Sequence, residues 1–398
     1  VDKVATEGDD TLIEWVHRSK RYGEKLATPD VSVADLIGDI DPIKAANLKL
    51  NFADERVIHY GIIPRSNRCI FVINEIPDLQ ARIQVSLFNI LEEGDVQIRG
   101  FKLRLPLDIL FVFTANPEDY TNRGSIVTPL KDRIESQILT HYPKTIETGL
   151  AITEQEAQIH PEQQQKVEMS DLIKRLIEQV AFEARSSEFV DKKSGVSARL
   201  TISAYENAIS TAELRSLINN EKHTQVWVND LIGVIPSITG KIELVYEGEQ
   251  EGPYQVAFNL LNKAIRTQFI NYFPNPELIK KRRGEAAADN PYKSITGWFD
   301  KGNTLAMLMN LNDEEKIQLL YKVDGLHALV KKYFKGANEK QSALLMEFVL
   351  HGLAAFSLIS KQVVEGKVEF KDLMGSIINL NTSRGGTDED DFDGEDFT

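Results

Sequence analysis

The stretch CIFVINEIPDL, residues Cys69–Leu79, joins an apolar run to a polar end. Apolar residues lead directly into Asn74 and Glu75, after which the chain turns polar. A short apolar run bounded in this way is typical of a buried strand in a parallel sheet, and ligands bind at the carboxyl ends of such strands. We therefore predict a strand at Cys69–Ile73 that carries Asn74 and Glu75 to a ligand-binding edge. The alternative is a strand that simply ends in a polar turn.

Short apolar runs alternate with helix-like stretches over residues 1–144, which predicts an α/β domain with a mostly parallel sheet covered by helices on both faces. Further strands are predicted at Ile109–Phe113 and Ile138–Tyr142, and a helix at Ile83–Leu91. The segment Asp95–Leu105 alternates apolar and charged residues around Gly100. This alternation predicts a β-hairpin inserted between helix and strand.

The pattern becomes helical after residue 144. Met169–Phe182 and Leu200–Leu214 space their apolar residues three and four apart, which predicts a small helical domain over residues 145–225. A mostly helical third region is predicted over residues 226–380, followed by an acidic, disordered tail at 381–398. The helices predicted in the third region are Tyr254–Tyr272, Glu315–Phe334 and Glu339–Ser360.

Composition indicates a soluble protein with more than one domain. The chain has 398 residues, of which 42% are hydrophobic and 27% charged, enough for two or three cores. Its single cysteine, Cys69, cannot form a disulfide framework, which indicates a reducing, cytoplasmic setting. No apolar stretch approaches the roughly 20 residues of a membrane span. Because Val1 is not a methionine, we expect the gene product to begin elsewhere.

The charge of the chain is unevenly distributed. Half of the net charge of −14 comes from the seven acids of Asp388–Asp396, which leaves −7 for the rest. Phosphate binding needs clustered Lys and Arg, so nucleic acid is an unlikely partner for such a body. The tail is predicted to be solvated, with a docking peptide as the alternative.

Two further polar positions follow predicted strands. Ile109–Phe113 leads into Thr114, Ala115 and Asn116, and an amide at this place is able to bond both a phosphate oxygen and a water. Later, Pro129 opens a short helix that displays Arg133, where an arginine could reach a neighbouring subunit and neutralise a phosphoryl group. A salt bridge from Arg133 to Asp132 or Glu135 is the alternative. Arg123 is a second candidate for the same role.

Taken in order, these segments resemble motifs of AAA+ ATPases, over roughly residues 20–215. CIFVINEIPDL, FVFTANP and TPLKDRI resemble Walker B, sensor 1 and the arginine-finger helix. The hairpin at Asp95–Leu105 is similar to the helix-2 insert of the magnesium-chelatase and MoxR branch. Ala27–Asp41 resembles the segment that precedes Walker B in that branch, and Gly195–Leu200 the start of the sensor-2 helix. The segment Gly240–Gly252 is similar to bacterial magnesium-chelatase-like proteins.

The resemblance implies an ATP-hydrolysing motor that remodels a protein client. ATP and Mg²⁺ would lie between the subunits of a ring, most simply a hexamer, and the client would carry a von Willebrand A-type domain. Glu75 would orient the attacking water, and Asn116 would sense the γ-phosphate. Arg133, or alternatively Arg123, would act on the neighbouring subunit. The helical domain over residues 145–225 would be the lid of the family, and Arg199 would couple it to the nucleotide.

The sequence departs from that family at two places. Asn74 stands where an aspartate is usual, so its contribution to the Mg²⁺ shell would be indirect and weak. No phosphate-binding Gly-x-x-x-x-Gly-Lys-Ser/Thr occurs; in the nearest match, Gly240-Lys241, Ile242 follows in place of the hydroxyl. Without its central strand the family's sheet would expose unpaired edges. We therefore expect the strand and its loop to precede Val1. The alternative is a degenerate member that serves as a non-hydrolysing scaffold.

Overall fold

The computed structural model describes residues 2–98, 101, 103–116, 125–192, 194–281, 290–364 and 366–373. It divides into two compact units, residues 1–140 and 141–398. No helix in these described ranges combines the length and the apolar character that crossing a membrane requires.

The first unit is built around a parallel sheet of three strands in the order β1-β4-β7. In chain order the strands of this unit are β1 (Tyr22–Leu26), β2 (Gly38–Ile40), β3 (Ile58–Tyr60), β4 (Ile70–Asn74), β5 (Asp95–Gln97), β6 (Arg104–Pro106) and β7 (Leu110–Phe113). The helices are α1 (Asp2–Glu7), α2 (Val33–Leu36), α3 (Pro42–Leu48), α4 (Ile62–Arg65), α5 (Ala81–Ser86), α6 (Phe88–Glu93) and α7 (Thr128–Asp132). Helices flank the parallel sheet, which confirms the predicted α/β class.

The two faces of the sheet differ in exposure. On one face Phe71 and Ile73 are fully buried among the side chains of α5 and α6, and Phe71 meets Phe111 edge to face at 5.9 Å. The other face carries Ile70, Leu110 and Val112, whose exposed fractions are 44%, 63% and 40%. In the described part of the chain, β7 pairs only with β4, so its outer edge is open.

The strand predicted at Ile138–Tyr142 does not form. Residues 134–143 have no regular structure, and Ile138 and Leu139 are 89% and 78% exposed. A strand needs a partner for its backbone N–H and C=O groups, and among the described residues this run pairs neither with the open edge of β7 nor with any other strand. The apolar run therefore has the composition of a strand but does not form one.

The other predictions for this unit are confirmed. β4 and β7 coincide within one residue with the predicted strands, and the predicted helix is divided at Leu87 into α5 and α6. β5 and β6 pair antiparallel as a hairpin, and Val96 and Ile98 contribute to the core of the unit. Its tip, with Arg99, Gly100 and Lys102, lies outside the described residues.

The second unit is mainly helical and has one continuous hydrophobic core from Val167 to Phe370. In chain order its helices are α8 (Ile146–Glu156), α9 (Pro161–Lys166), α10 (Asp171–Ser186), α11 (Arg199–Ile218), α12 (Ile235–Thr239), α13 (Tyr246–Glu251), α14 (Pro253–Tyr272), α15 (Pro276–Lys281), α16 (Lys293–Asp300), α17 (Asp313–Tyr321), α18 (Leu326–Tyr333) and α19 (Glu339–Ala355). The strands are β8 (Val167–Glu168), β9 (Thr224–Gln225), β10 (Leu305–Leu308), β11 (Ser360–Val364) and β12 (Lys367–Lys371).

The structure corrects the sequence prediction at two places in this unit. The single helix predicted at Glu315–Phe334 is two helices, α17 and α18, separated by residues 322–325. Gly325, directly before α18, has a φ of +79°, which a continuous helix does not allow. A three-stranded antiparallel sheet in the order β10-β12-β11 was not predicted at all. The remaining predicted helices are present as α10, α11, α14 and α19.

Candidate functional site

The carboxyl ends of the three parallel strands are tied together by hydrogen bonds around Thr114. The hydroxyl of Thr114 accepts from the backbone N–H of Glu75 at 3.0 Å, and its carbonyl accepts from Ile76 at 3.0 Å. The backbone N–H of Thr114 donates to Ile73 at 3.1 Å, and Asn74 accepts through its carbonyl from Ala27 at 2.8 Å. The register of the sheet therefore fixes the polar tips, as expected for parallel strands.

Glu75 has a left-handed backbone conformation, with φ +56° and ψ +50°. This conformation costs a residue with a Cβ about 1–2 kcal/mol. It turns the chain from β4 into the short 3-10 helix Ile76–Asp78 and leaves the Glu75 carboxylate half-buried at the sheet edge. The side-chain amide of Asn116 lies 3.5 Å from both carboxylate oxygens. The structure thus brings together two of the predicted residues from different strands.

Asn74 is held by two partners, one of which the sequence did not indicate. Its amide nitrogen donates to the carboxylate of Glu24 on β1, and its amide oxygen accepts from the hydroxyl of Thr114 at 3.3 Å. Glu24 also accepts a hydrogen bond of 2.8 Å from the hydroxyl of Tyr22, which is the first cause of a raised pKa of that phenol. An aspartate at position 74 would place two carboxylates in contact, so the amide suits this neighbour.

Glu24, Asn74, Glu75, Thr114 and Asn116 are called the strand-tip cluster below. It presents two carboxylates, two amides and one hydroxyl at the carboxyl edge of a parallel sheet. Oxygen groups of this kind suit Mg²⁺, which usually takes only one or two carboxylates from protein and further oxygens from phosphates and water. Among the described residues, no group of three or more His, Cys, Asp or Glu side chains could hold a metal by itself. A magnesium ion bound here would therefore need further oxygen ligands besides those of the cluster.

Arg133 lies at the end of α7 and is engaged within its own unit. Its Nε and Nη2 donate to the carboxylate of Glu92 at 2.8 and 2.5 Å, and Nη1 donates to the carbonyl of Pro129 at 2.9 Å. The guanidinium also stands over the ring of Phe88, 4.8 Å from its centroid. The ion pair considered from sequence, with Asp132 or Glu135, is thus replaced by one with Glu92. Arg133 would have to release this partner to act on another subunit.

A buried glutamine positions the segment that leads to α7. Gln84 is 1% exposed, donates to the carbonyls of Leu79 at 2.7 Å and Ser125 at 3.2 Å, and accepts from the N–H of Val127 at 2.9 Å. Removing such a side chain leaves buried backbone groups unpaired, at a cost of about 1–3 kcal/mol. Arg123, the second candidate arginine, lies outside the described residues.

Arg199 is the first residue of α11 in the second unit. Its backbone N–H donates to the hydroxyl of Ser197 at 3.2 Å, and its side chain is exposed. The loop before it is held by Tyr142, whose hydroxyl accepts from the N–H of Val196 at 2.8 Å. The guanidinium of Arg185 lies over the Tyr142 ring at 4.3 Å. The start of α11 is thus fixed while the Arg199 side chain points to solvent.

The second unit also contains a buried ion cluster that sequence reasoning missed. It comprises Arg215, Asp230, Asp313, Lys316 and Glu347, none more than 4% exposed. Arg215 donates to Asp230 at 3.2 and 3.3 Å and to Asp313 at 3.1 Å. Trp227 donates through its indole N–H to Asp313 at 2.8 Å, and Lys316 lies 3.8 Å from Asp230.

The carboxylate of Glu347 lies in the same cluster and is fully buried. It accepts from the backbone N–H groups of Val228 and Asn229 at 2.7 and 3.3 Å. Burial raises the pKa of Glu347 to about 7, against the opposing charge of Lys316. Charges this deeply buried are costly unless they are paired. The contacts of this cluster connect α11, α17 and α19.

Comparison with known proteins gives distant structural likeness only. No protein-family model and no curated protein matches the sequence. A candidate ATPase of Cytophaga hutchinsonii is 20% identical over 61% of this chain and 77% of its own, with a TM-score of 0.26. NtrX of Brucella abortus is 13% identical over 68% of this chain and 57% of its own, with a TM-score of 0.37. The BchI–BchD complex of magnesium chelatase is 15% identical over 58% of this chain and 72% of the matched chain, with a TM-score of 0.28. The strand-tip cluster is therefore the basis for assigning a function to this chain.

Proposed function

We propose that this protein is an AAA+ type ATPase that hydrolyses ATP at the strand-tip cluster. The observation that carries the proposal is the convergence of Glu75 and Asn116, 3.5 Å apart, at the carboxyl edge of a parallel sheet. The strained backbone of Glu75 supports it, because strain of this kind collects at functional sites. The ordered motif resemblance points to the same reaction.

In this proposal each residue of the cluster has a separate task. Bound ATP would supply the phosphoryl group. Its Mg²⁺ would attract the phosphates to the carboxylates at the sheet edge. The carboxylate of Glu75 accepts a hydrogen bond from the attacking water and orients it, and Asn116 holds the carboxylate and donates toward the phosphate side. Thr114 fixes the turn at Glu75. Arg133, or Arg123, neutralises charge across a subunit boundary, and Arg199 reports the nucleotide state to the helical region.

The phosphate cradle in this proposal belongs beside β7. The outer edge of β7 is open among the described residues, and the neighbouring apolar side chains Leu110 and Val112 are 63% and 40% exposed. A strand placed there would pair with β7, and a glycine-rich loop at its end would face Glu75 and Asn116. The open edge of β7 is where a further strand with a phosphate-binding loop would pair.

The motif resemblance extends the proposal to an assembly and a client. A ring of six subunits would place Arg133 at the nucleotide of the next subunit. The hairpin β5–β6 would contact a protein client, with a von Willebrand A-type domain as the suggested partner. The client proposal is tested separately from ATP hydrolysis, by affinity capture with the hairpin intact and deleted.

The test of the central proposal is phosphate release from Mg-ATP by the complete gene product. Glu75→Gln is expected to lower turnover at least 100-fold while leaving ATP binding within about threefold, because general base catalysis contributes about 10²–10⁴-fold. Glu93→Gln, which alters an exposed acid at the end of α6, is the matched control and should be unchanged. Equal turnover in wild type and Glu75→Gln would contradict the proposal.

A non-hydrolysing scaffold is the second candidate function. Asn74 favours it, because an amide in place of the usual carboxylate weakens the Mg²⁺ shell. The absence of a phosphate-binding motif in the given sequence favours it as well. Under this alternative the same assay would show neither turnover nor ATP binding.

A further inference from the structure

A cavity of about 240 Å³ opens on the second unit, beside α14, the loop that follows α10 and the end of α19. Its apolar lining is formed by Phe189, Val256, Leu260 and Ala355. A cavity of this size is large enough for an aromatic side chain and small for a nucleotide. It belongs to the second unit and is separate from the strand-tip cluster.

The polar part of the cavity is positively charged. Lys263 and Arg266 line it, and no carboxylate does. Lys263 is exposed and forms no ion pair with any residue that the structure describes, while Arg266 pairs with Glu277. The ammonium of Lys361 donates at 2.5 Å to the amide oxygen of Asn262, which lines the cavity. Like Lys263, Lys361 has no carboxylate partner among the described residues. The cavity thus combines an apolar floor with cations at and behind its wall.

One segment of the chain has the complementary chemistry. Residues 387–398 read TDEDDFDGEDFT, in which Phe392 and Phe397 are set among seven acids. A phenylalanine ring fits the apolar floor, and flanking carboxylates suit the cations. The proposed function makes no use of this segment.

The path of the chain brings this segment within reach of the cavity. Strand β12 ends at Lys371, and its residue Phe370 is the register partner of Lys361 on β11. The described chain ends at Leu373, about 19 residues before Phe392. An extended chain of that length spans roughly 60 Å. Length therefore does not limit docking within one molecule.

We propose that residues 388–398 dock in this cavity, with their phenylalanines against Phe189, Val256 and Leu260 and their acids against Lys263 and Arg266. The docked segment is a tethered occupant of the second unit.

The test is a titration of a fluorescent peptide, residues 386–398, into the full chain carrying Phe392→Ser and Phe397→Ser. This chain has an intact cavity and a weakened tail, so we expect saturable binding that weakens as salt is raised. The wild-type chain should bind the peptide at least tenfold more weakly, because its own tail competes. Absence of saturable binding at low salt would overturn the proposal, and so would equal affinity for the two chains.

Two cavity variants in the same Phe392→Ser/Phe397→Ser chain separate charge from shape. Lys263→Glu reverses a lining charge, and Ala355→Leu fills the apolar floor without changing charge. Each should weaken peptide binding at least tenfold, whereas Lys331→Glu, an exposed lysine on α18 that does not line the cavity, should not. Thermal unfolding checks that each variant is folded. Unchanged binding to Ala355→Leu, or equal binding of a peptide with both phenylalanines replaced by serine, would overturn the proposal.

Discussion

The strand-tip cluster and the buried ion cluster both gather charged and polar side chains, but they hold them differently. In the strand-tip cluster Glu24, Thr114 and Asn116 are exposed, and the contact of Asn116 with Glu75 is 3.5 Å long. In the buried ion cluster no member exceeds 4% exposure, and Arg215 alone makes five hydrogen bonds.

The difference separates a site open to a ligand from a cluster that stabilises the fold. The exposed groups of the strand-tip cluster are accessible to water or phosphate. The groups of the buried ion cluster are not, and the attraction among their charges offsets part of the cost of removing them from water. Substitutions in the two regions should therefore change different properties.

The largest expected effect is the loss of stability in Arg215→Met. The variant leaves Asp230 and Asp313 buried without their guanidinium partner, which should lower the free energy of unfolding by about 3–5 kcal/mol. Arg175→Met is the control, because Arg175 pairs with Asp171 and Glu147 on the surface and should contribute at most about 1 kcal/mol. Urea unfolding of both variants measures the difference. Equal losses would show that the buried ion cluster stabilises the fold no more than a surface ion pair does.

The next largest effect is a pH dependence of the free energy of unfolding that originates in Glu347. Between pH 4.5 and about 7 the unfolded state releases this proton while the folded state, with its raised pKa, retains it. The free energy of unfolding should therefore fall as pH rises through this range, by up to about 3 kcal/mol from this group. Glu347→Gln should flatten the profile and be the more stable form at pH 7. Parallel profiles for the two proteins would contradict the assignment.

A smaller effect is expected for Asn74→Asp in the strand-tip cluster. The new carboxylate faces Glu24, and the repulsion should lower stability by about 1 kcal/mol without magnesium. Millimolar Mg²⁺ should reverse the loss, because the two carboxylates then share a cation. Melting temperatures with and without Mg²⁺, with wild type as the reference, measure this. A loss that Mg²⁺ does not affect would argue against a cation at this edge.

The smallest effect is expected for Glu75→Gly, which should increase stability instead of reducing it. Glu75→Gly relieves the left-handed backbone and should raise the free energy of unfolding by about 0.5–1 kcal/mol, although it removes the proposed catalytic carboxylate. Lys49→Gly, at φ +51° at the end of α3, is a control for strain alone and should also stabilise without affecting turnover. Destabilisation of Glu75→Gly comparable to that of Arg215→Met would place Glu75 among the structural residues.

Structural features that depend on neighbouring residues were predicted from the sequence. Contacts between residues far apart in the sequence were not. Strand β4 and its polar end lie within one apolar run, so they were readable. The contact of Asn74 with Glu24 joins residues 50 apart, and that of Arg215 with Asp313 joins residues 98 apart, so no local pattern signals either. The predicted strand at Ile138–Tyr142 was wrong for the same reason, since a strand depends on a partner elsewhere in the chain. Glu24 is the register partner of Val72, and Leu26 is that of Asn74, so the contact between Glu24 and Asn74 depends on the register of β1 and β4.

Hydrogen–deuterium exchange of the complete gene product, with and without Mg-ATP, tests the central claim most directly. We predict slower exchange of the backbone N–H groups of residues 74–79 and 114–116 when ATP is bound, because the ligand covers the strand tips. Residues 224–231, beside the buried ion cluster, should exchange at the same rate in both conditions. Unchanged exchange at the strand tips under saturating Mg-ATP would contradict the assignment of this edge as the nucleotide site.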